Sequence, residues 1–331
     1  MSYVYITEEN ARIQKKNGRF LVGRNLEILF EIPEETLEGL VLIGSVQVSS
    51  QAMISLLQLG IPVTWISGRG KFFGRLESTS HVNVFKQQKQ VLLQDTPFAL
   101  ELSRKVILAK VHNQLVLLQR YERRKESISL SKAIAQIKAL RKHIHTVQNR
   151  EELMGYEGSI SRIYFSALGK IVPDEFAFTK RSKQPPLDAF NAMLSFGYTL
   201  LMYDMYTAIS NQGFHPYFGF LHALKNHHPA LASDLMEEWR AVLIDSMVLS
   251  LISHHEMLPE HFVPSEDGSG IFLTRDGRTI FLRAYEKKLR SLNAYGDQQQ
   301  SYRKSLETQV MTYGQALMKE DISLYKPLYT R

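Results

Sequence analysis

The feature that most constrains the fold is a change of hydrophobic period near residue 80. Before it, short apolar runs are bounded by turn residues, the pattern of half-buried strands. RIQKKNGRFLVG (12–23) reads as two strands around Asn17-Gly18, a dipeptide that supplies the positive φ of a tight hairpin. LEILFEI (26–32), LVLIG (40–44), VTWIS (63–67) and KFFGRLES (71–78) are further strands. SSQAMISLLQLG (49–60) is a short helix closed by Gly60. From about residue 82 the spacing becomes three and four, as in Leu102, Val106, Leu108, Val111, Leu115 and Leu118. Helices are expected over 96–124, 128–147, from about 151 to 171, 191–210 and 233–253, with 173–190 a proline-broken loop. GIFLTRDGRTIFL (270–282) reads as a β-hairpin about Asp276-Gly277. The expected fold class is α+β: a small N-terminal β-sheet domain over 1–81, then a larger, mainly α-helical domain over 82–331.

Composition limits the chemistry. The chain has no cysteine, which excludes thiol nucleophiles, disulfides, zinc ribbons and iron–sulfur clusters. A metal would be held by carboxylate, imidazole or backbone oxygen, which favours Mg2+ or Mn2+ over structural zinc. The formal charge is +7, a surplus that concentrates polyanions such as nucleic acid. The start shows no secretory signal pattern, and the most apolar window (241–253) is too short to span a bilayer. A cytoplasmic protein without membrane contact is expected.

Three segments place polar groups where a plain helix would not. Glu157 lies between Gly155 and Gly158, which cost helix propensity and permit close approach by a backbone or ligand. His222 follows an aromatic, glycine-punctuated stretch, GFHPYFGFLH. Asp234, Glu237 and Glu238 cluster where the next helix starts, above the stripe Leu231, Leu235, Trp239, Val242. Each also has a purely structural reading: an exposed glutamate at a frayed end, a hydrogen-bonded core histidine, acids complementing a helix dipole. Helical geometry alone does not choose among the three acids.

In order, ELMGYEGSISRIYF, GFHPYFGFLH and LASDLMEEWRAVLID resemble the CRISPR-associated integrase of spacer acquisition, the larger of the two universal CRISPR adaptation proteins. KVHNQLVLLQR (110–120), LDAFNAMLSFGYTLL (187–201) and GIPVTWISGRGKFFGRL (60–76) extend the resemblance over nearly the whole chain. The loop ALKNHHPALAS departs from the family's charged, glycine-containing stretch. The resemblance implies a metal-dependent DNA endonuclease/integrase that inserts short duplexes into a CRISPR repeat by 3′-hydroxyl transesterification. It implies Glu157, His222 and Glu237 as catalytic metal ligands, with Asp234, Tyr164, Arg181, Asn191 and Arg240 in support. It further implies a homodimer through the β domain and a small ferredoxin-like CRISPR adaptation partner protein. Arg123, Arg124, Lys125, Arg141, Lys142, Lys180 and Lys183 belong to basic clusters expected to follow DNA phosphates. Asp234 is expected to cap its own helix, with Glu237 reaching the metal and Glu238 pairing with a basic neighbour. The competing classes are a non-catalytic DNA-binding scaffold of the same fold and a metal-dependent phosphoesterase acting on small substrates.

Overall fold

The computed structural model describes residues 2–25, 27–124, 129–176 and 178–330. The fold is α+β, and the chain divides into two compact units. The first comprises Met1–His81 with Leu273–Leu282, the second Val82–Phe272 with Arg283–Arg331.

In the first unit the chain runs β1 (Ser2–Ile6), β2 (Arg12–Lys16), β3 (Arg19–Arg24), β4 (Glu27–Pro33), β5 (Leu37–Ile43) and β6 (Gln47–Val48). Then come α1 (Ser50–Gln58), β7 (Val63–Ile66) and β8 (Phe72–Leu76). One sheet has the order β1-β5-β7-β8, parallel except at β8; the other has the order β4-β3-β2-β6. β2 and β3 pair Lys16 with Arg19, leaving a two-residue turn in which Asn17 and Gly18 both take positive φ (46° and 72°). That backbone matches the strands' right-handed twist. Ile6, Ile13, Phe20, Leu40, Leu42 and Leu56 share one core. β4 is an edge strand, and its Ile28, Leu29 and Phe30 remain exposed.

The second unit is helical: α2 (Val84–Leu92), α3 (Pro97–Arg124), α4 (Ser131–His143), α5 (Arg150–Gly169), α6 (Ala189–Asn211) and α7 (Ala230–Met236). A π-helical stretch, Arg240–Asp245, leads into α8 (Ser246–Ser253). After β9 (Phe262–Pro264) and β10 (Ile271–Leu273) come α9 (Arg275–Arg290), whose part up to Leu282 belongs to the first unit, then β11 (Leu292–Tyr295), β12 (Gln298–Ser301) and α10 (Tyr302–Lys319). Asn149 and Asp188 cap α5 and α6 through side-chain acceptors. α3 lies at the centre, packed by α4, α5 and the π-helical stretch, which is why its buried positions run almost all round it. Among the described residues no helix is long and apolar enough to cross a membrane.

Three expectations are corrected. The segment 275–282 is not a hairpin arm but the start of α9: Thr274 Oγ1 accepts the Gly277 amide at 3.1 Å, so Asp276-Gly277 sits in a helical first turn. The helical signal was present in Phe281, Tyr285 and Leu289, four apart and buried. The expected single helix over 233–253 is broken into α7, a π-helical stretch and α8. The helix α2 was not anticipated; its amphipathic run VFKQQKQVL is short and glutamine-rich.

Trp239 anchors the break between α7 and α8. It is fully buried, donates from Nε1 to Gln309 Oε1 at 2.7 Å and lies parallel to Tyr295 at 6.2 Å between ring centroids. Trp239→Ala should destabilise the chain by about 3–5 kcal/mol, the range for a large aromatic lost from a core. Denaturant unfolding followed by far-UV circular dichroism measures this, and a loss below about 1 kcal/mol would deny the anchoring role.

Candidate active site

The site is assembled on four pieces of the helical unit: α3, α5, the irregular segment 213–222 and the turn that follows α7. An irregular buried segment must find partners for its backbone groups. Gln90 of α2 supplies several, accepting the His215 amide at 2.8 Å and donating to the His215 and Phe218 carbonyls. Gln94 donates to the Gly219 carbonyl at 3.3 Å. Asp234 supplies three more. Its Oδ2 accepts the amides of Phe220 and Leu221 at 2.6 and 2.9 Å, and its Oδ1 accepts that of His222 at 3.0 Å.

The same carboxylate fixes the imidazole. His222 Nδ1 donates to Asp234 Oδ1 at 2.7 Å, which leaves Nε2 as the lone-pair nitrogen of the neutral ring. Nε2 lies 3.8 Å from Glu237 Oε1. Burial alone would lower the His222 pKa, but the hydrogen bond and charge of Asp234 outweigh it and raise it. Asp234 thus caps the histidine segment rather than its own helix, whose N-cap is Pro229. Its expected capping of its own helix is corrected accordingly.

Glu157 and Glu237 approach each other across Lys110 of α3. The Lys110 ammonium pairs closely with Glu157 Oε1 and lies 2.7 Å from Glu237 Oε2. Ser161 donates to the same Glu157 oxygen at 2.7 Å. Arg240 Nη2 stands 3.0 Å from Glu237 Oε1. Side-chain exposure is 7% for Lys110, 17% for Glu157 and 4% for Glu237, so these charges meet largely out of water. Burial pushes both glutamates toward protonation, yet the neighbouring cations win. Arg240 and Lys110 hold Glu237 down at about 2, and Lys110 lowers Glu157. Lys110 is likewise raised against its own burial by the two carboxylates.

The supporting residues gather around Tyr198 of α6. Arg181 and Arg240 place their guanidinium carbons 5.4 and 4.9 Å from its ring centroid. Its hydroxyl donates to Asp245 Oδ1 at 2.6 Å while Tyr164 donates to Oδ2 at 2.7 Å. Burial lifts Asp245 to about 6 despite those donors. Asn191 accepts from Arg181 at 2.8 Å and donates to the Lys180 carbonyl and to Asp188, so it holds the basic loop rather than touching Glu157 or Glu237. Lys183 feels the charges of Arg240 and Arg181 and is lowered by burial first and then by them. Arg123 and Arg124 are exposed at the end of α3, about 20 Å along the helix from Lys110 at 1.5 Å per residue. Arg141 and Lys142 lie in the last turn of α4, and Lys125 lies outside the described residues.

Glu238 is a correction. It is fully buried and, among the described residues, meets no basic neighbour; Tyr325 donates to Oε1 at 2.5 Å and the Leu328 amide to Oε2 at 2.7 Å. Sequence reasoning also assigned no role to Lys110, Tyr198, Asp245 or Gly219. Lys110 and Asp245 stood within quoted motifs, and Gly219 could have been found from G-F-L-H: a Cβ there would lie 2.6 Å from Asp234 Oδ2 and 2.7 Å from the Ala230 carbonyl carbon. Gly155 and Gly158 are different. Among the described residues no atom outside the helix's own backbone lies within 4 Å of a Cβ at either position, so no other segment crowds that side of α5.

Among the described residues no three His, Asp or Glu side chains converge on one point at metal-bonding distance. The donor chemistry nonetheless fits a hard ion. Two ionised carboxylates and an oriented imidazole share the site, and buried Glu237 Oε2 has no well-directed hydrogen-bond donor. Lys110 stands where those carboxylates come closest.

Fold and site together define an α+β protein with a buried two-carboxylate, one-imidazole centre. The sequence model of the family described as CRISPR associated protein Cas1 matches residues 4–287, and the chain belongs to that family. It is 34% identical over 86% of its length to CRISPR-associated endonuclease Cas1 3 of Thermus thermophilus, covering 84% of that protein. Against CRISPR-associated endonuclease Cas1 of Mycobacterium tuberculosis it is 32% identical, covering 89% of this chain and 87% of the other. A chain of the solved Cas6-RT-Cas1–Cas2 complex is 26% identical with a TM-score of 0.86, over 100% of this chain and 36% of that longer one.

Two predictions follow from the geometry. Gly219→Ala should displace Asp234 and its three amide contacts, lowering the unfolding midpoint by several degrees. A His222 Nδ1–H signal in proton NMR should shift or vanish with it; an unmoved signal and midpoint would show that the segment yields without cost.

Glu238 sets a pH dependence. Its folded value of about 8 exceeds the ordinary 4.5, so the folded chain keeps a proton that the unfolded chain releases. Its contribution to stability therefore falls as pH rises from 4.5 through about 8. Glu238→Gln should flatten the difference in unfolding free energy between about pH 5 and about pH 9 by about 1 kcal/mol or more. An unchanged slope would mean that Glu238 ionises normally.

Proposed function

We propose that this chain is a divalent-metal-dependent DNA endonuclease/integrase that inserts short DNA duplexes into a CRISPR repeat array. The observation that carries the reading is the buried Glu157–Glu237 pair, kept ionised beside an imidazole whose Nε2 is turned toward it. Glu157, Glu237 and His222 would hold Mg2+ or Mn2+, and the names of the relatives, CRISPR-associated endonucleases, support the substrate class.

When bound, the ion supplies Lewis-acid polarisation of a phosphodiester and stabilises the oxygens that attack and leave. The protein supplies position. Asp234 keeps the proton of His222 on Nδ1, and Arg240, braced on Tyr198 and Glu237, offers a fixed cation at the edge of the site. Arg181 and Lys183 extend that cationic edge. A DNA 3′-hydroxyl loses its proton and forms a P–O bond to the repeat strand as another P–O bond breaks, and the departing 3′-oxygen takes up a proton. One phosphodiester replaces another, so no energy source is required. With water as the nucleophile the same site cleaves DNA.

Lys180, Lys183, Arg141, Lys142, Arg123 and Arg124 supply the phosphate track, with Lys125 assigned from sequence only. The chain acts as a homodimer, a reading supported by Ile28 (55% exposed) and Phe30 (37%) on the β4 edge strand. A small ferredoxin-like partner joins it, a reading supported by the Cas1–Cas2 assembly named for the solved relative. The protein works in the cytoplasm. One observation favours a second reading: with Lys110 between the carboxylates, the cluster could serve as a structural ion network of a DNA-binding scaffold.

An integration assay with the chain, its partner, a short duplex and a repeat-bearing plasmid separates the two. Glu157→Gln, His222→Ala and Glu237→Gln should each lower strand transfer by about 10²-fold or more while DNA affinity is retained. Asp234→Asn should keep activity that rises with metal concentration, its apparent affinity reduced roughly 10–100-fold. Full activity in the three variants would favour the scaffold. Near-normal Glu237→Gln with inactive Asp234→Asn would reverse the roles of those two acids.

A further inference from the structure

We propose that Lys110 is the site's own exchangeable cation: its ammonium neutralises Glu157 and Glu237 until a divalent ion displaces it, so metal loading is an exchange and not an addition. The inference rests on the metal-site reading above and names how that site is regulated.

Three observations carry it. First, the ammonium touches both carboxylates, pairing closely with Glu157 Oε1 and lying 2.7 Å from Glu237 Oε2. A divalent ion held by the same two carboxylates would need the place that Nζ occupies, so the two cations would compete for it. Second, the counter-charges are unequally distributed. Glu237 keeps Arg240 at 3.0 Å whatever Lys110 does, whereas Lys110 is the only cation paired with Glu157 among the described residues. Losing Lys110 without replacement would leave Glu157 buried beside Glu237, a like charge that already opposes its ionisation. Third, the fit at Glu237 is imperfect. Lys110 lies near Oε2 by distance but off the direction of a good hydrogen bond, so a better-directed cation would gain there over the ammonium.

Charge bookkeeping agrees. Two carboxylates against Lys110 and Arg240 are balanced as they stand. A doubly charged ion added on top would leave an excess of two positive charges in a buried site, whereas exchange leaves an excess of one, which a DNA phosphate then cancels. The lysine's four-carbon stem lets the ammonium swing away without moving α3.

The test uses the full-length chain freed of metal by chelation, with Mn2+ as the probe and calorimetric titration as the readout. Thermal unfolding is measured with and without Mn2+. Lys110→Met keeps length and removes charge. It should lower the unfolding midpoint without metal, enlarge the rise produced by Mn2+, and tighten the Mn2+ Kd by roughly tenfold, a size typical of coupling between two ligands. Lys110→Arg, which keeps a cation, should stay near the wild-type Kd. If Lys110→Met folds only when Mn2+ is present, the exchange is supported directly; if it folds in neither condition, Lys110→Gln is judged on the same Kd criterion. Equal or weaker Mn2+ binding in the neutral variants, with the wild type binding Mn2+ and Glu237→Gln not, would overturn the exchange and leave the metal site standing. Absence of Mn2+ binding in the wild type, or binding indifferent to Glu237→Gln, would overturn both.

Discussion

The helical unit is organised around the need to keep two carboxylates ionised out of water. Removing a carboxylate from solvent costs several kcal/mol unless a counter-charge is held against it. Glu157 and Glu237 meet that condition through Lys110 and Arg240, each set by a different element: α3 for the lysine, the π-helical stretch for the arginine. The central position of α3 follows from this. A lysine whose ammonium reaches two acids from separate helices must come from the helix that packs against both. Arg240 in turn is braced by Tyr198, whose hydroxyl is tied with Tyr164 to Asp245. The outer ring of aromatic and acidic groups thus fixes the geometry of the inner ring of charges.

Asp234 performs the second organising task. One carboxylate accepts three consecutive backbone amides and an imidazole N–H, so it turns a segment with no regular structure into a rigid arm carrying His222. Gly219 makes this possible, because any side chain there would strike that carboxylate. Asp234 has no oxygen left over from these contacts, in contrast with Glu237, whose Oε2 is short of a well-directed donor. The difference between an acid committed to holding its neighbours and an acid with acceptor capacity to spare therefore follows from how their lone pairs are used.

Much of this was legible in the sequence where a local rule decides. Asn17-Gly18 specified its hairpin, Gly60 closed its helix with a positive φ, and the shift from period two to period three-and-four separated strands from helices. Where two local rules competed, the weaker was invisible. Asp276-Gly277 reads as a turn, but Phe281, Tyr285 and Leu289 bury a helical stripe, and burial outweighs a dipeptide preference. For the site, the order of motifs brought Glu157, His222, Asp234, Glu237 and Arg240 into view, and the structure gathers them in one place. Lys110 and Asp245 had no visible role because their meaning depends on contacts more than 45 residues away in sequence. Glu238 was misread because helical spacing says which way a residue points, not what waits there.

The residues 237–240 show how closely chemistry and folding are coupled here. Four consecutive side chains leave the end of α7 in different directions: Glu237 toward the cations, Glu238 to Tyr325 and the Leu328 amide, Trp239 to Gln309, and Arg240 back to Glu237. A regular helix advances 100° per residue and would place them around its circumference, which suits a segment buried on every side. The break into a π-helical stretch after Trp239 widens the turn at Arg240, a local distortion common beside functional sites. Asn113 completes the link from the other side, donating to the carbonyls of Glu238 and Leu328 while its Oδ1 accepts the Thr330 amide. The last residues of the described chain are thereby tied to α3 one turn beyond Lys110. The terminal segment and the site are held by neighbouring positions of the same two elements, Asn113 beside Lys110 and Glu238 beside Glu237, so displacement of residues 325–330 would strain the turn that carries Glu237 without touching it.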